Sequence, residues 1–181
     1  IGVWVVSRYQ AELSFVRVMK VSVIMALLSI MAYSIVYGLG PRLRSKPHRV
    51  NYPAAEIAFR SEGVWHQLYG SRLPYVIADE WFGGIINFYG RDKARVMIEG
   101  ELARSPYLSD IDVVREGALI LWMKSRDASS TSLTTMDQVF PDIRERYPQL
   151  IEKEDLVISW PRRSDGKEGR YGVALIPPAA K

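Results

Sequence analysis

The sequence has no cysteine at all. That excludes a disulfide framework, a thiolate zinc site and a cysteine nucleophile. Histidine is nearly as scarce, with two in 181 residues, 18 positions apart (His48 and His66), which disfavours a histidine-based metal centre. No GxGxxG or GxxxxGK[ST] phosphate loop, HExxH or GxSxG motif is present, and no repeat of 20–50 residues. What the chain does contain is ordinary for a folded protein: 48% hydrophobic and 24% charged residues, enough for one domain with an appendage.

The formal net charge of +4 divides unevenly. Residues 1–50 carry seven cations and one anion, a net +6, while residues 51–181 carry 17 cations and 19 anions, a net −2. A nucleic-acid-binding domain needs a basic face on its folded part, and here the folded part is slightly acidic. Nucleic acid is therefore not an expected partner.

The cations flank an uncharged stretch, residues 21–40, of which nine are Val, Ile or Leu. Twenty helical residues span about 30 Å, the hydrocarbon thickness of a bilayer. Arg17 and Lys20 precede the stretch; Arg42, Arg44, Lys46 and Arg49 follow the helix-stopping Gly40-Pro41. Tyr33 and Tyr37 lie where an aromatic belt belongs. A buried core helix and a signal peptide are the competing readings; cations at both ends and the lack of a small-residue cleavage site disfavour the second. Ser22/Ala26 and Ser34/Gly38 are small-residue pairs suited to packing against other membrane helices. The apolar opening IGVWVV reads as the tail of a preceding membrane helix. The expected organisation is a helix tail and loop at 1–12, a transmembrane helix at 13–40, a basic membrane-proximal linker at 41–52 and a soluble α/β domain at 53–181. Charge alone does not orient the span, with three cations before it and four after.

In the soluble part, short apolar runs alternate with amphipathic stretches. Helices are predicted over 52–69, with Ile57, Val64 and Leu68 on one face, over 79–89 and over 109–116; one over 136–147 is interrupted by Pro141. Strands are predicted at 73–78, 95–98, 118–123, 156–160 and 170–176, the last two as an antiparallel hairpin at one edge. Gly83-Gly84 lowers helix propensity by about 2 kcal/mol relative to alanine, so close packing there is expected. The alternation argues for βαβ units and a covered, mostly parallel sheet, a small Rossmann-like, three-layer domain.

Asp79 and Glu80 follow the first predicted strand, where ligands of open α/β sheets bind. A phosphoacceptor site would need a further Asp ending a later strand, yet 95–98 runs into Glu99-Gly100. The plain alternative for Asp79 is favourable charge at a helix start. For Trp81, Phe82, Phe88 and Tyr89 it is core packing, for the stripe Trp65, His66 and Tyr69 core or membrane-proximal surface, and for Tyr107 cover over a strand edge.

The run YVIADEWFGGIINFYGRDKARVMIEGELARSPYLSDIDVVREGALILW, residues 75–122, resembles the C-terminal soluble region of bacterial family 39, protein-mannosyltransferase-like membrane glycosyltransferases. The shared features are the order of strand, helix ending in Phe88-Tyr89, strand, Ser105-Pro106-aromatic, and apolar strand; many relatives carry Trp where Tyr107 stands. With the preceding membrane helix, the resemblance covers about residues 13–125. It implies an inverting enzyme that moves a sugar from a polyprenyl-phosphate donor to an extracytoplasmic lipid, glycan or protein. It also implies a bacterial inner-membrane location with the soluble domain on the periplasmic side. The partners implied are the lipid bilayer, further transmembrane helices and the acceptor. On this reading Arg42, Arg44, Lys46 and Arg49 contact membrane phosphates, while Asp79, Glu80, Trp81 and Tyr107 are the substrate-binding candidates. The family's catalytic acid lies in an early outer loop with no counterpart here, so no catalytic residue, metal or bound cofactor is expected in these residues. The alternative is a membrane-anchored α/β binding, sensory or structural module without catalysis.

Overall fold

The computed structural model describes residues 15–39, 52–126, 129–160 and 168–179. The chain divides into two units, Ile1–Lys46 and Pro47–Lys181. Helix α1 (Phe15–Ser34) runs into a wider π turn, Ile35–Leu39. Together they form a 25-residue segment, long and apolar enough to cross a membrane by length and composition. No residue of α1 is buried. Tyr33 and Tyr37 stack at 4.3 Å near its end. The four cations expected to meet phosphates (Arg42, Arg44, Lys46, Arg49) lie outside the described residues, as does the helix tail expected at 1–12.

The second unit is a mixed α/β fold. Its elements are α2 (Ala54–Tyr69), β1 (Tyr75–Ala78), α3 (Glu80–Tyr89), β2 (Arg95–Ile98), a 3₁₀ turn (Leu102–Arg104), α4 (Asp110–Glu116) and β3 (Ala118–Ser125), then α5 (Met136–Val139), α6 (Ile143–Arg146), β4 (Ile151–Glu152), β5 (Leu156–Ser159) and β6 (Glu168–Ile176). The sheet order is β2-β1-β3-β6-β4, with β5 also on β6. β1 pairs in parallel with β2 and β3, whereas β6 is antiparallel to β3, β4 and β5. Of the described strands, β6 alone is reversed, and the other five point one way. The expected β5–β6 hairpin is present, but β6 lies inside the sheet rather than at its edge.

Strand alternation divides the core. Val76, Ala78, Leu119, Leu121, Val173 and Leu175 pack with Ile57, Ala58, Trp65, Phe82 and Ile86 of α2 and α3. Their neighbours Tyr75, Ile77, Ile120, Trp122, Ala174 and Ile176 pack with Val113, Met136, Phe140, Ile143 and Tyr147 of the later helical segments. Burial on both faces explains why these strands read as continuous apolar runs.

Local chemistry sets the element ends. Asp79 caps α3, its carboxylate accepting from the Phe82 N–H at 2.7 Å. Gly70 ends α2 at φ +61°, a left-handed geometry that glycine adopts without a steric penalty. Gly83 provides the expected close packing, since a Cβ there would stand 2.3 Å from Val96 Cγ1; Gly84 faces open space. Pro141 splits the predicted 136–147 helix into two single turns, α5 and α6.

The buried face of α2 differs from the predicted one. It consists of Ile57, Ala58, Ser61, Glu62 and Trp65, while Leu68 is exposed. Glu62 is drawn inward because it accepts the Arg91 and Asp92 N–H groups, at 2.9 and 3.1 Å, in the turn between α3 and β2.

Candidate functional site

Because five strands share a direction, their carboxyl ends collect at one edge of the sheet, where α/β folds bind ligands. Asp79 follows β1, Arg126 follows β3 and Trp160 follows β5. These residues, with Tyr52, Trp81, Phe82 and Met123, line a cavity of about 470 Å³, which falls in the range of small-molecule sites.

Its walls are aromatic. Tyr52 meets Trp160 edge-on at 5.0 Å and Trp81 at 5.9 Å. Trp81 lines the cavity and remains 57% exposed. Behind this surface Phe82 meets Tyr171 at 5.8 Å. Trp160 Nε1 and the hydroxyls of Tyr52 and Tyr171 are buried behind the cavity wall, and the two hydroxyls interact with each other.

Burial raises the Asp79 carboxyl above its ordinary value; the Phe82 and Trp81 N–H groups pull it back, and the Glu99 and Glu80 charges push it up again. Tyr52 is raised chiefly by burial and secondly by the neighbouring Tyr171 hydroxyl. Tyr171 is raised by burial.

The four predicted binding residues do not all meet. Asp79 and Trp81 stand in the cavity. Glu80 sits at its lip, where Arg104 binds both it and Glu99 beside a shallower hollow shared with Asp79 and Trp81. Tyr107 lies elsewhere: its hydroxyl donates to Val96 O at 2.9 Å and covers the edge strand β2. Core packing holds for Phe82 and Trp65, but Trp81, Phe88 and Tyr89 are exposed, a correction to the core reading of those rings. His66 is on the surface, 2.6 Å from the Asp92 carboxylate.

Sequence reasoning missed Tyr52, Met123, Arg126 and Trp160. Three of them were findable, because Arg126 and Trp160 stand just past strands and Met123 near the end of one. Tyr52 gave no signal.

Among the described residues, no group of three or more His, Asp or Glu side chains is placed to hold a metal ion. Among the described residues, the cavity lining includes the Asp79 carboxylate, the Arg126 guanidinium and several aromatic rings. No family model, characterised protein or solved structure matches the chain.

Proposed function

We propose that this chain is the C-terminal part of a polytopic bacterial inner-membrane glycosyltransferase, with its α/β domain on the extracytoplasmic side. On this reading the domain is a Rossmann-like, three-layer unit, supported by helices over both sheet faces. Its cavity holds a sugar of the acceptor while the membrane part of the enzyme transfers another sugar from a polyprenyl-phosphate donor. The transfer is inverting: a carboxylate outside these residues, acting as general base, takes the acceptor hydroxyl proton as that oxygen bonds the anomeric carbon and the bond to the departing polyprenyl phosphate breaks. Arg42, Arg44, Lys46 and Arg49 meet the phosphates of the membrane surface.

The observation that carries the proposal is the lining of the cavity. A sugar ring has an apolar C–H face and a rim of hydroxyls. The exposed Trp81 ring matches the first, and Asp79 and Arg126 match the second. The same chain carries a 25-residue apolar helix, which suits an enzyme of lipid-linked sugars.

The test is transfer by the complete enzyme in proteoliposomes, using a polyprenyl-phosphate sugar donor. Trp81→Ala should raise the KM for the acceptor about tenfold, the cost of losing one central contact, and leave the donor KM unchanged. An unchanged acceptor KM would remove the domain from acceptor binding. If the complete protein retained glycans but transferred nothing, the non-catalytic binding-module reading would replace the enzyme.

A further inference from the structure

We propose that the Trp81 cavity is one half of a two-compartment cleft, and that the ligand is a glycan of at least two linked sugar rings. This rests on the carbohydrate reading above and adds the size of the ligand to it. A second cavity of about 500 Å³ is lined by Tyr52, Ala55, Glu56, Arg60, Tyr89 and Ser159, among others. Tyr52 stands in the walls of both. The β5 segment also serves both, giving Ile158 and Ser159 to one compartment and the next residue, Trp160, to the other. The two hollows therefore flank a shared ridge.

Each compartment repeats the same chemistry. The first has the exposed ring of Trp81 with Asp79 and Arg126. The second has Tyr89, 44% exposed, with Glu56 and Arg60. Arg60 is held in place there: its Nε donates to Glu56 at 2.6 Å and its Nη1 to Val157 O at 3.2 Å. A fixed carboxylate–guanidinium pair offers acceptors and donors to neighbouring hydroxyls while an aromatic face covers the ring. A single ring set against one of the two aromatic side chains leaves the other compartment unused. Two linked rings, one against Trp81 and one against Tyr89, reach both compartments across the Tyr52 wall that they share.

The test uses the intact chain in lipid nanodiscs. An array of mono-, di- and trisaccharides from bacterial envelope polysaccharides is screened, and affinities of the retained sugars are measured by tryptophan fluorescence. Retained sugars should have two or more rings and bind at least about tenfold more tightly than their single units. Tyr89→Ala and Arg60→Ala should weaken disaccharide binding and leave monosaccharide binding unchanged, whereas Trp81→Ala should weaken both. All three side chains are largely exposed, so the fold tolerates their loss. Monosaccharides binding as tightly as their oligomers, or Tyr89→Ala without effect, would overturn the two-compartment cleft and leave the carbohydrate reading standing. Retention of no saccharide by the unaltered chain would overturn both.

Discussion

Two aspartates at helix starts, Asp79 and Asp110, sit in opposite surroundings. Burial alone would raise Asp110, but the Arg146 and Tyr147 hydrogen bonds outweigh it and hold the carboxyl below its ordinary value. Arg146 Nη2 lies 2.5 Å from Asp110 Oδ1, Tyr147 donates to the same oxygen, and Arg146 also reaches Gly100 O. This knot ties α6 to α4 and to the turn after β2, and its charges are paired. At Asp79 the hydrogen-bond partners among the described residues are backbone N–H groups, and the neighbouring Glu99 and Glu80 charges push the carboxyl up rather than pairing with it. A closed polar cluster holds a fold together; one left open beside a cavity is available to a ligand.

The strongest way to challenge that contrast is to remove the buried anchor of the knot. Tyr147 is wholly buried, so Tyr147→Ala should cost about 3–5 kcal/mol of stability, while Tyr147→Phe, which keeps the ring, should cost about 1 kcal/mol. Thermal unfolding of the α/β unit in the detergent-solubilised chain measures both. Equal losses would mean that ring packing contributes nothing.

Next in size is a pair of variants whose effects differ in direction. Asp110→Asn should lower stability at neutral pH by about 1 kcal/mol, a charged hydrogen bond discounted for exposure. The Asp110 contribution is complete above the ordinary value of 3.8 and is lost as pH falls through the lowered folded-state value, so the gap to the unaltered protein should close in acid. For Asp79, raised in the fold, the ionised form carries a cost at neutral pH, and this is relieved as pH falls through the raised value. Asparagine keeps the helix cap, so Asp79→Asn should not lower stability at pH 7. Melting curves across pH decide the matter; the same direction for both variants would erase the contrast.

Smaller still, Trp81→Ala should change stability by no more than about 0.5 kcal/mol, although it should weaken sugar binding about tenfold. A large loss of stability would return Trp81 to the core. The smallest effect is expected from Tyr107→Phe, which removes one exposed hydrogen bond worth about 0.5 kcal/mol. Transfer activity should be unchanged, and its loss would bring Tyr107 back into the site.

Much of the fold is legible in the sequence where local signals agree with burial. The β2 strand falls on the predicted residues 95–98, α3 begins after its Asp79 cap, and α4 ends before Gly117. The failures have physical causes. Hydrophobicity assigned Leu68 to the buried face of α2, but the folded chain needs the Glu62 carboxylate inside to satisfy two N–H groups of a distant turn. Strand β4 is two exposed residues, Ile151 and Glu152, too short to show a pattern. For the site, Asp79 and Trp81 were legible because they follow a strand directly. Tyr52 was not, since it joins the cavity only through its contacts with Trp81 and Trp160, residues remote from it in the chain.

The inward Glu62 also fixes where the domain can be cut. Helix α2 is the first described element after the apolar helix, a position where a dispensable spacer would be expected. Yet Glu62 serves Arg91 and Asp92, Asp92 in turn accepts the Leu73 N–H at 2.6 Å, and Gly90 is pressed against the Glu62 carboxylate. A fragment beginning beyond α2 would leave these groups without their partners and strip Ile57 and Trp65 from the sheet. One beginning at or before Tyr52 keeps both the foundation and the cavity wall. Proteolytic release of the domain should therefore yield a stable product only when the cleavage falls ahead of Tyr52.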